Sequence, residues 1–589
     1  MNNYYDQGNR LNYGALLCPD SGYKLSFAVG CTYSLDFEAL VSIPLYLCGV
    51  EQTSSERINN PFVILENICR STDKIALFCN CDGIKMLRNI KPVYALLDNS
   101  VFPVNLGNGS NFHPKLWVIR YDSQNDGPDM IKVLVLSRNL TFDRSMDLVV
   151  EMKGYIGKRI RRNSKQKPIA DLLNFLASTC DTGDKAERIK TVADDLLRVD
   201  SFEIANDFED YSFLVTGIPN HDNDSKEICS PCRRIMVVSP FLSKSVLSNM
   251  VRDCYRFENN QQVNRILISR LTSVTPEVFS LFDEVYTPAE GLENNALLQE
   301  NDEDEPKRDL HAKVIFKDTY TENAIYIGSF NTTANAKYKN VEIMVKLKYK
   351  PYKSSLRLLR EQFVESTYPA FQRLLSPLVE TADEDETEEM VDFSDVIESI
   401  IEAAVRLDSN GSYSTIVRFK CANADVLISP LFIDGDLRFK EASPEVVFDH
   451  MTTKELSELF VVKKNDESRI IKLNISDLPF DERNDAIFRD MLNTRPKFLQ
   501  YILFLLSDDL ELASMEINQL MKDGFDKNND ENGTESLITP SIYERMLLAA
   551  ARDPERIKSI RDAVKHFDDE KIDKEFIDLV NSFDSLIGE

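Results

Sequence analysis

The chain of 589 residues is 43% hydrophobic and 28% charged, a composition typical of packed globular domains and too apolar for a mainly disordered protein. Its 96 acidic residues exceed its 69 Lys and Arg residues, and the net charge of −27 argues against a nucleic-acid binder unless basic residues cluster locally. No apolar run approaches the ~18–20 residues that span a bilayer, and no signal peptide is visible. Eleven cysteines suggest no disulfide framework, so we expect a cytoplasmic protein without membrane segments.

The first 379 residues repeat one order of elements, namely strand, helix and strand. Strands that alternate with helices favour an α/β fold. His113 and His311 follow the two repeats at corresponding points, so the pattern predicts a duplicated domain and not a short-period solenoid. The predicted elements are strand 24–34, helix 35–43 (ending before Pro44), strand 74–81, strand 234–239, helix 243–256 and strand 265–269.

The remaining residues have a different pattern and carry most of the acidic excess. Residues 380–392 contain eight acidic and no basic side chains, which predicts a solvated linker, as does the shorter acidic tract at 300–305. Alternating runs are followed by helical periodicity, so we predict a C-terminal region that is first β-rich and then helical. The predicted elements are strands 414–419, 426–433, 460–464 and 469–475, helices 485–506 and 541–551, and a polar break at 528–533.

These patterns predict a chain of about three to four domains. The predicted divisions are a first lobe at 1–205, a second lobe at 206–379, an acidic linker at 380–394 and a C-terminal interaction domain at 395–589.

A short polar motif occurs once in each repeat, as His-x-Lys followed by Ser-x-Asn. Residues two apart on a strand face the same side, so each copy presents an imidazole, an ammonium, a hydroxyl and an amide together. Two copies facing each other would surround a tetrahedral oxyanion such as phosphate, and they require no metal ligands. The motif residues are His113, Lys115, Ser137 and Asn139 in the first copy and His311, Lys313, Ser329 and Asn331 in the second.

These motifs resemble those of the phospholipase D superfamily, over residues 20–379. The first copy departs from the superfamily signature, because Arg120 stands where Asp is expected and Leu136 replaces a glycine. The signature His-x-Lys-x4-Asp followed by Gly-Ser-x-Asn is complete in the second copy, as His311, Lys313, Asp318, Gly328, Ser329 and Asn331.

The resemblance implies two α/β lobes that share one active site, and a phosphodiesterase that needs no metal or other cofactor. We expect His113 to attack phosphorus and form a phosphohistidine, and His311 to act as acid and base. Asp147 and Glu342 would orient the imidazoles, as the carboxylate does in a Ser-His-Asp triad. The resemblance further implies that the lysines offset phosphate charge and that the motif Ser and Asn side chains hydrogen-bond the non-bridging oxygens.

DNA is the expected substrate, with RNA as the alternative. A basic run at 153–167 follows the first motif and could track a phosphate backbone near the site, although such runs are often only solvated. Arg138, inside the first Ser-x-Asn segment, could touch a neighbouring phosphate. The basic side chains proposed for this role are Arg138, Lys158, Arg159, Arg161 and Arg162.

The tail resembles that of bacterial phospholipase D-like nucleases encoded beside helicases in phage-defence or restriction-like systems. The resembling segments are 478–483, 495–506 and 543–547 together with 552–554. That resemblance implies a helicase or ATPase partner, and a homodimer is left open. Two other functions remain alternatives, namely a non-catalytic nucleic-acid-binding or scaffold subunit and a phospholipid phosphodiesterase. Cys229 and Cys232 lack a second ligand pair, so buried thiols are favoured over a zinc site.

Overall fold

The structure is a computed structural model. The acidic tracts at 300–305 and 380–392 and the polar break at 528–533 lie outside the residues that it describes. The described residues are 13–587 except 48–64, 66–67, 70, 88–89, 142–144, 162–163, 181–182, 256–262, 290–308, 365–369, 378–392, 434–436, 507–539, 553 and 567–573.

A six-stranded mixed sheet forms the centre of the first lobe. The strands of this lobe are β1 (Tyr23–Cys31), β2 (Ile75–Asn80), β3 (Val101–Val104), β4 (Leu116–Ser123), β5 (Met130–Leu136), β6 (Ser145–Met146) and β7 (Val149–Tyr155). The order in the sheet is β3-β2-β1-β4-β5-β7, with β1 parallel to β2 and antiparallel to β4. Every residue of β2 and β5 is buried, as expected of strands covered on both faces.

An eight-stranded mixed sheet forms the centre of the second lobe. The strands of this lobe are β8 (Phe208–Thr216), β9 (Arg234–Val238), β10 (Arg265–Ile268), β11 (Glu284–Pro288), β12 (Asp309–Leu310), β13 (Val314–Asp318), β14 (Asn323–Gly328), β15 (Glu342–Tyr349) and β16 (Phe371–Leu374). The order in the sheet is β16-β11-β10-β9-β13-β14-β15-β8. The short strand β12 lies outside this sheet and pairs with β6 of the first lobe.

The two sheets contain the same topology. The run β2-β1-β4-β5-β7 in the first lobe corresponds to β10-β9-β13-β14-β15 in the second, with one parallel pair and three antiparallel pairs in each. The predicted α/β fold with a duplicated core is therefore confirmed.

Helices cover the sheets in layers. The helices of the two lobes are α1 (Tyr13–Leu17), α2 (Phe37–Leu47), α3 (Lys167–Thr179), α4 (Gly183–Leu196), α5 (Asp224–Ile228), α6 (Lys244–Met250), α7 (Pro276–Phe279), α8 (Ala334–Tyr338) and α9 (Leu356–Phe363). Helices α3 and α4 lie in a core shared by both sheets, whereas α1 and α2 cover the other face of the first sheet and α5 to α8 that of the second. Within the described residues, no helix is long and apolar enough to cross a bilayer.

Two predicted helices have different bounds in the structure. Helix α2 continues through Pro44 to Leu47, although a proline removes one backbone hydrogen bond at a cost of about 3 kcal/mol. Ile43 and Leu47 are fully buried on this helix, and their burial offsets that cost. Helix α6 ends at Met250, earlier than predicted, because the chain turns there through hydrogen bonds between residues three apart.

The C-terminal region contains two four-stranded sheets that enclose a core of their own, followed by helices, and the predicted order of a β-rich and then a helical part is confirmed. The predicted helix 485–506 is divided at 492–494. The elements are α10 (Ser394–Ser399), β17 (Ile400–Leu407), β18 (Tyr413–Phe419), β19 (Asn423–Pro430), β20 (Lys440–Ala442), β21 (Val446–Met451), β22 (Leu459–Lys464), β23 (Glu467–Lys472), β24 (Ile475–Ser476), α11 (Phe480–Met491), α12 (Arg495–Leu506), α13 (Pro540–Arg552), α14 (Pro554–His566) and α15 (Lys574–Ile587).

The C-terminal region packs against the first lobe. Its helices share one apolar core with the outer face of the first sheet. A buried ion pair joins the two parts, since the Arg483 guanidinium donates to Asp98 at 2.7 Å and both side chains are almost fully enclosed. The Ser457 hydroxyl donates to the same Asp98 oxygen at 2.9 Å. The first lobe and the C-terminal region therefore form a continuous packing unit.

Removing one partner of this buried pair leaves a buried charge without its counter-ion. We expect Arg483→Ala to lower the free energy of unfolding by about 3–5 kcal/mol. The measurement is urea unfolding of the full chain followed by circular dichroism. The matched control is Arg418→Ala, which removes two exposed ion pairs with Glu402 and Glu445 and should cost less than about 1 kcal/mol. Equal losses in the two variants would contradict the role given to the Asp98 pair.

Candidate active site

The two polar motifs meet at one end of both sheets. His113 and Lys115 directly precede β4, and Ser137 directly follows β5. His311 and Lys313 directly precede β13, and Ser329 directly follows β14. Because β4 and β5, like β13 and β14, are antiparallel neighbours, the start of one lies beside the end of the other. The antiparallel pairing therefore brings the distant halves of each motif together.

Each imidazole contacts a carboxylate from the opposite lobe. His113 Nδ1 lies 2.8 Å from Glu342 Oε2, and His311 Nδ1 lies 3.1 Å from Asp147 Oδ1. All four side chains are buried or nearly so. The expected orienting carboxylates are thus in place, and the pairing is crossed between the lobes.

Short parallel strand contacts position these crossed pairs. Phe112 bridges Val341, and the His113 N–H donates to the Val341 carbonyl at 3.0 Å. At the second pair, β12 lies parallel to β6 and the His311 N–H donates to the Met146 carbonyl at 3.2 Å. Val341 and Met146 each immediately precede the carboxylate residue. Asp147 and Glu342 therefore occupy corresponding positions, which the sequence alone left uncertain.

The motif serines contact the orienting carboxylates. The Ser137 hydroxyl donates to Asp147 at 2.9 Å and accepts from the Leu148 N–H at 3.0 Å. The Ser329 hydroxyl likewise donates to Glu342 and accepts from the Ile343 N–H. Both serines are fully buried. Their hydroxyls donate to the carboxylates and so hold the orienting groups in the structure, and their hydrogen bonds to phosphate oxygens stay a prediction.

Each motif asparagine has a buried side-chain oxygen. The side-chain oxygens of Asn139 and Asn331 are buried and have no hydrogen-bond partner among the described residues. A buried polar atom left unpaired costs about 1–3 kcal/mol, and a bound ligand would recover that cost. Rotation of an amide about its last bond exchanges its oxygen and NH₂ group, so either asparagine can present donors to a phosphate oxygen.

The two lysines are held alike in the two lobes. Lys115 Nζ donates to the His113 carbonyl at 3.1 Å, and Lys313 Nζ donates to the His311 carbonyl at 2.7 Å. Both side chains are fully buried. Each lysine thus places a positive charge next to the imidazole of its own motif, where it can offset phosphate charge.

Burial and neighbouring groups shift the pKa values of His113 and Asp147 in the site. Burial lowers the pKa of His113 to about 4, and the ammoniums of Lys115 and Lys313 act in the same direction against the opposing effect of Glu342. Burial alone would raise the pKa of Asp147, but hydrogen bonds from His311 and Ser145 hold it well below its usual range. At neutral pH His113 is therefore an uncharged imidazole and Asp147 a carboxylate. With Nδ1 on Glu342, the other nitrogen of His113, Nε2, makes no hydrogen bond to a described residue.

Two positioning residues were missed in the sequence. The Ser145 hydroxyl donates to the second oxygen of Asp147, and the Asn340 amide donates to the second oxygen of Glu342 at 3.4 Å. The Asn340 side-chain oxygen also accepts from the N–H of Asn111 in the first lobe at 3.1 Å. Both residues stand two positions before the carboxylate, and this shared spacing could have identified them.

Two signature positions support the fold at a distance from the site. Asp318 lies at the end of β13 remote from Lys313 and accepts from Arg233 at 2.7 Å. In the first lobe the charges are inverted, since Arg120 pairs with Asp195 and Asp129, each at 2.8 Å. A side chain at Gly328 would meet the Ile343 carbonyl, because an added Cβ would lie 2.2 Å from its oxygen.

The basic run is not close to the site, contrary to expectation. Strand β7 leads away from Ser137, since Leu136 pairs with Val149 and Met130 with Tyr155. At about 3.3 Å per residue, β7 carries the chain roughly 20 Å from the site before the run continues. Several of its charges also pair with acids, as Lys153 does with Asp20 at 2.8 Å. Arg161 pairs with Asp200 and Lys165 with Asp210, Lys158 and Arg159 are exposed, and Arg162 lies outside the described residues.

Arg138 is the predicted basic residue that lies next to a site motif along the chain. It stands between Ser137 and Asn139, and its guanidinium donates to the Thr141 carbonyl at 2.9 Å. In the second lobe the corresponding residue is Phe330, which is fully buried. The Arg138 guanidinium is thus held by the backbone of its own segment, and its contact with a neighbouring phosphate stays a prediction.

No candidate metal centre is found in the part of the chain that the structure describes, where no three His, Cys, Asp or Glu side chains cluster suitably. Cys229 and Cys232 are buried in the apolar core of the second lobe.

Comparison with known proteins gives distant structural similarity. The sequence matches no protein-family profile and no curated protein. Solved structures that match include polyphosphate kinase from Porphyromonas gingivalis (11% identity, 59% of this chain and 43% of that chain, TM-score 0.30). Yeast tyrosyl-DNA phosphodiesterase matches at 11% identity over 58% of this chain and 87% of that chain, with TM-score 0.33. Phosphatidylserine synthase from Haemophilus influenzae matches at 11% identity over 65% and 89%, with TM-score 0.35.

The chain spans less than half of the polyphosphate kinase. At these identities and TM-scores, function is inferred from the geometry of the site itself.

The crossed pairing has a direct spectroscopic consequence. With ¹⁵N-labelled histidine, we expect the His113 ring, assigned by its loss in His113→Gln, to titrate near pH 4, against about 6.5 for a free side chain. Glu342→Gln removes the charge that favours protonation and should lower the pKa of His113 further, while the His311 signals stay in place. A His113 titration near pH 6.5, or a Glu342→Gln response at His311, would contradict the pairing.

Proposed function

We propose that the protein is a phosphodiesterase that works by double displacement without a metal ion. One observation carries the proposal, namely two buried imidazoles, each oriented through Nδ1 by a carboxylate from the other lobe. An imidazole held at Nδ1 presents Nε2 to a substrate, as in a Ser-His-Asp triad. Buried lysines and unsatisfied amides beside both rings supply the groups that a phosphate requires.

His113 is the proposed nucleophile. Its low pKa keeps Nε2 unprotonated at neutral pH, which attack on phosphorus requires. His311 would donate a proton to the leaving oxygen as the His113 nitrogen–phosphorus bond forms. In the second step His311 would remove a proton from water, which attacks phosphorus and releases His113. The Asp147 carboxylate lies 3.1 Å from His311 Nδ1 and would hold the ring with Nε2 toward the leaving oxygen.

We propose DNA as the substrate. The buried lysines and the motif asparagines beside the imidazoles support an anionic phosphodiester substrate such as the DNA backbone. The proposed setting is phage defence with a helicase or ATPase partner, supported by the resemblance of the tail. The exposed apolar side chains of Tyr543, Leu547 and Leu548 on α13 lie within or next to one of the resembling segments and support a protein partner there.

Replacement of either imidazole should abolish turnover. We expect His113→Ala and His311→Ala each to reduce cleavage of labelled single- or double-stranded DNA by at least about 10³-fold, since each removes an essential role in the displacement. Wild type should stay active in EDTA. The assay includes His450→Asn, which changes an exposed histidine in the C-terminal region and should leave cleavage unchanged.

Different outcomes separate the alternatives. DNA binding without cleavage in wild type would favour a non-catalytic subunit, and hydrolysis of phospholipid vesicles without DNA cleavage would favour a lipid substrate. Full activity in either alanine variant, or complete loss in EDTA, would contradict the proposed mechanism.

A further inference from the structure

The loop 80–84 begins with the last residue of β2 and lies between the candidate nucleophile and the C-terminal region. Asn80 ends β2 at the same edge of the sheet as the site, and its side-chain oxygen accepts from the Phe112 N–H at 2.8 Å. Phe112 immediately precedes His113. The loop thus holds the peptide that carries the nucleophile, and Asn80 is fully enclosed while it does so.

A second contact joins the loop to His113 through Tyr33. The Asn80 N–H donates to the Tyr33 carbonyl at 3.2 Å, and the Tyr33 ring lies 5.0 Å from the His113 ring. The approach is close, because an added Cβ at Gly83 would lie 2.1 Å from the Tyr33 carbonyl oxygen. A displacement of the loop therefore moves groups on two sides of the His113 segment.

The C-terminal region contacts the opposite side of this loop. The Ile470 N–H of β23 donates to the Ile84 carbonyl at 3.2 Å, and the Ile470 side chain is fully buried in the core shared with the first lobe. The Phe393 N–H donates to Asp82 Oδ2 at 3.4 Å, while Asp82 Oδ1 accepts from the Asn80 side-chain nitrogen at 2.5 Å. A continuous path of contacts thus runs from Phe393 through Asp82 and Asn80 to the peptide before His113.

The corresponding position of the second lobe has different contacts. The position that corresponds to Asn80 is Arg270. Its Nε donates at 3.2 Å to the carbonyl of Leu310, the residue directly before His311. Its guanidinium lies 4.6 Å from the Phe241 ring, within the same lobe. Arg270 thus holds the peptide before His311 and contacts its own lobe at Phe241, whereas Asn80 holds the peptide before His113 and is joined through Asp82 to the C-terminal region.

We propose that the C-terminal region positions His113 through the 80–84 loop, so that attack on phosphorus depends on how that region is docked. This rests on the proposed phosphodiesterase function. Asn80, Asp82 and Ile470 are positioning residues in this account, and none of them contacts the substrate. A partner that shifts the C-terminal region would change the rate of the first displacement and leave the groups around His311 in place.

Two adjacent isoleucines on β23 provide a matched test. Ile470 and Ile471 are equally buried, but Ile470 faces the core shared with the first lobe and Ile471 faces the core of the C-terminal region itself. We expect Ile470→Ala to lower kcat by about 10- to 100-fold with little change in KM, because small misplacements of a reacting group have effects of this size. Ile471→Ala removes the same side-chain atoms from the core of the C-terminal region and should keep kcat near wild type. Ile470→Val should also keep kcat near wild type.

A second readout does not depend on catalysis. In the ¹⁵N-histidine spectrum, Ile470→Ala and Asp82→Ala should shift the His113 ring signals, and Ile471→Ala should not. Equal kcat values in the two alanine variants, whether both high or both low, would overturn the proposal, as would unchanged His113 signals in Ile470→Ala. If wild type cleaves no phosphodiester, the spectrum alone decides the coupling, and the failure then belongs to the proposed function.

Discussion

The arrangement of the candidate site depends on the crossed contacts between imidazoles and carboxylates. Glu342 from the second lobe holds His113 of the first, and Asp147 from the first lobe holds His311 of the second. Neither lobe alone contains an oriented imidazole, so the relative position of the lobes is part of the chemistry. The parallel contacts of Phe112 with Val341 and of β12 with β6 fix that position next to the reacting groups. Burial at this junction also keeps His113 uncharged at neutral pH.

The sequence predicts the general architecture and the motif residues, because both are local patterns. The alternating strands and helices and the two His-x-Lys and Ser-x-Asn motifs indicate a duplicated α/β core, which the structure has. The crossing of the carboxylates could not be predicted, since Asp147 and Glu342 each follow the serine of their own lobe and spacing does not tell which imidazole they reach. The contact between Ser137 and Asp147 could not be predicted for the same reason, because tertiary packing decides the partner of the hydroxyl.

Errors in the sequence interpretation came from local features whose tertiary context was unknown. The sequence predicts the basic run near the site because the run follows the first motif closely along the chain. An extended strand moves the chain rapidly through space, however, and β7 takes these residues to the other end of the sheet. Pro44 predicts a helix end, yet the apolar side chains around it keep α2 continuous.

The net charge of −27 is carried mostly by the residues after 379, and the two lobes are close to neutral. The acidic C-terminal region is nevertheless joined to the first lobe by a shared core and by the Asp98–Arg483 pair. The departures of the first motif, Arg120 and Leu136, lie in the fold that supports the site, where Arg120 has its own acidic partners. The groups that would face a phosphate are complete in both lobes.

The central claim is that one site built from both lobes transfers a phosphoryl group to His113. The most direct measurement is intact-mass analysis of His311→Asn incubated with the p-nitrophenyl diester of thymidine 5′-phosphate. The p-nitrophenolate leaves without a proton from His311, so attack by His113 can proceed, whereas hydrolysis of the intermediate lacks its base. We predict one nucleotidyl group per chain, attached to His113, and none on His113→Asn. Attachment to His311 in His113→Asn, or no adduct in either variant, would contradict the account.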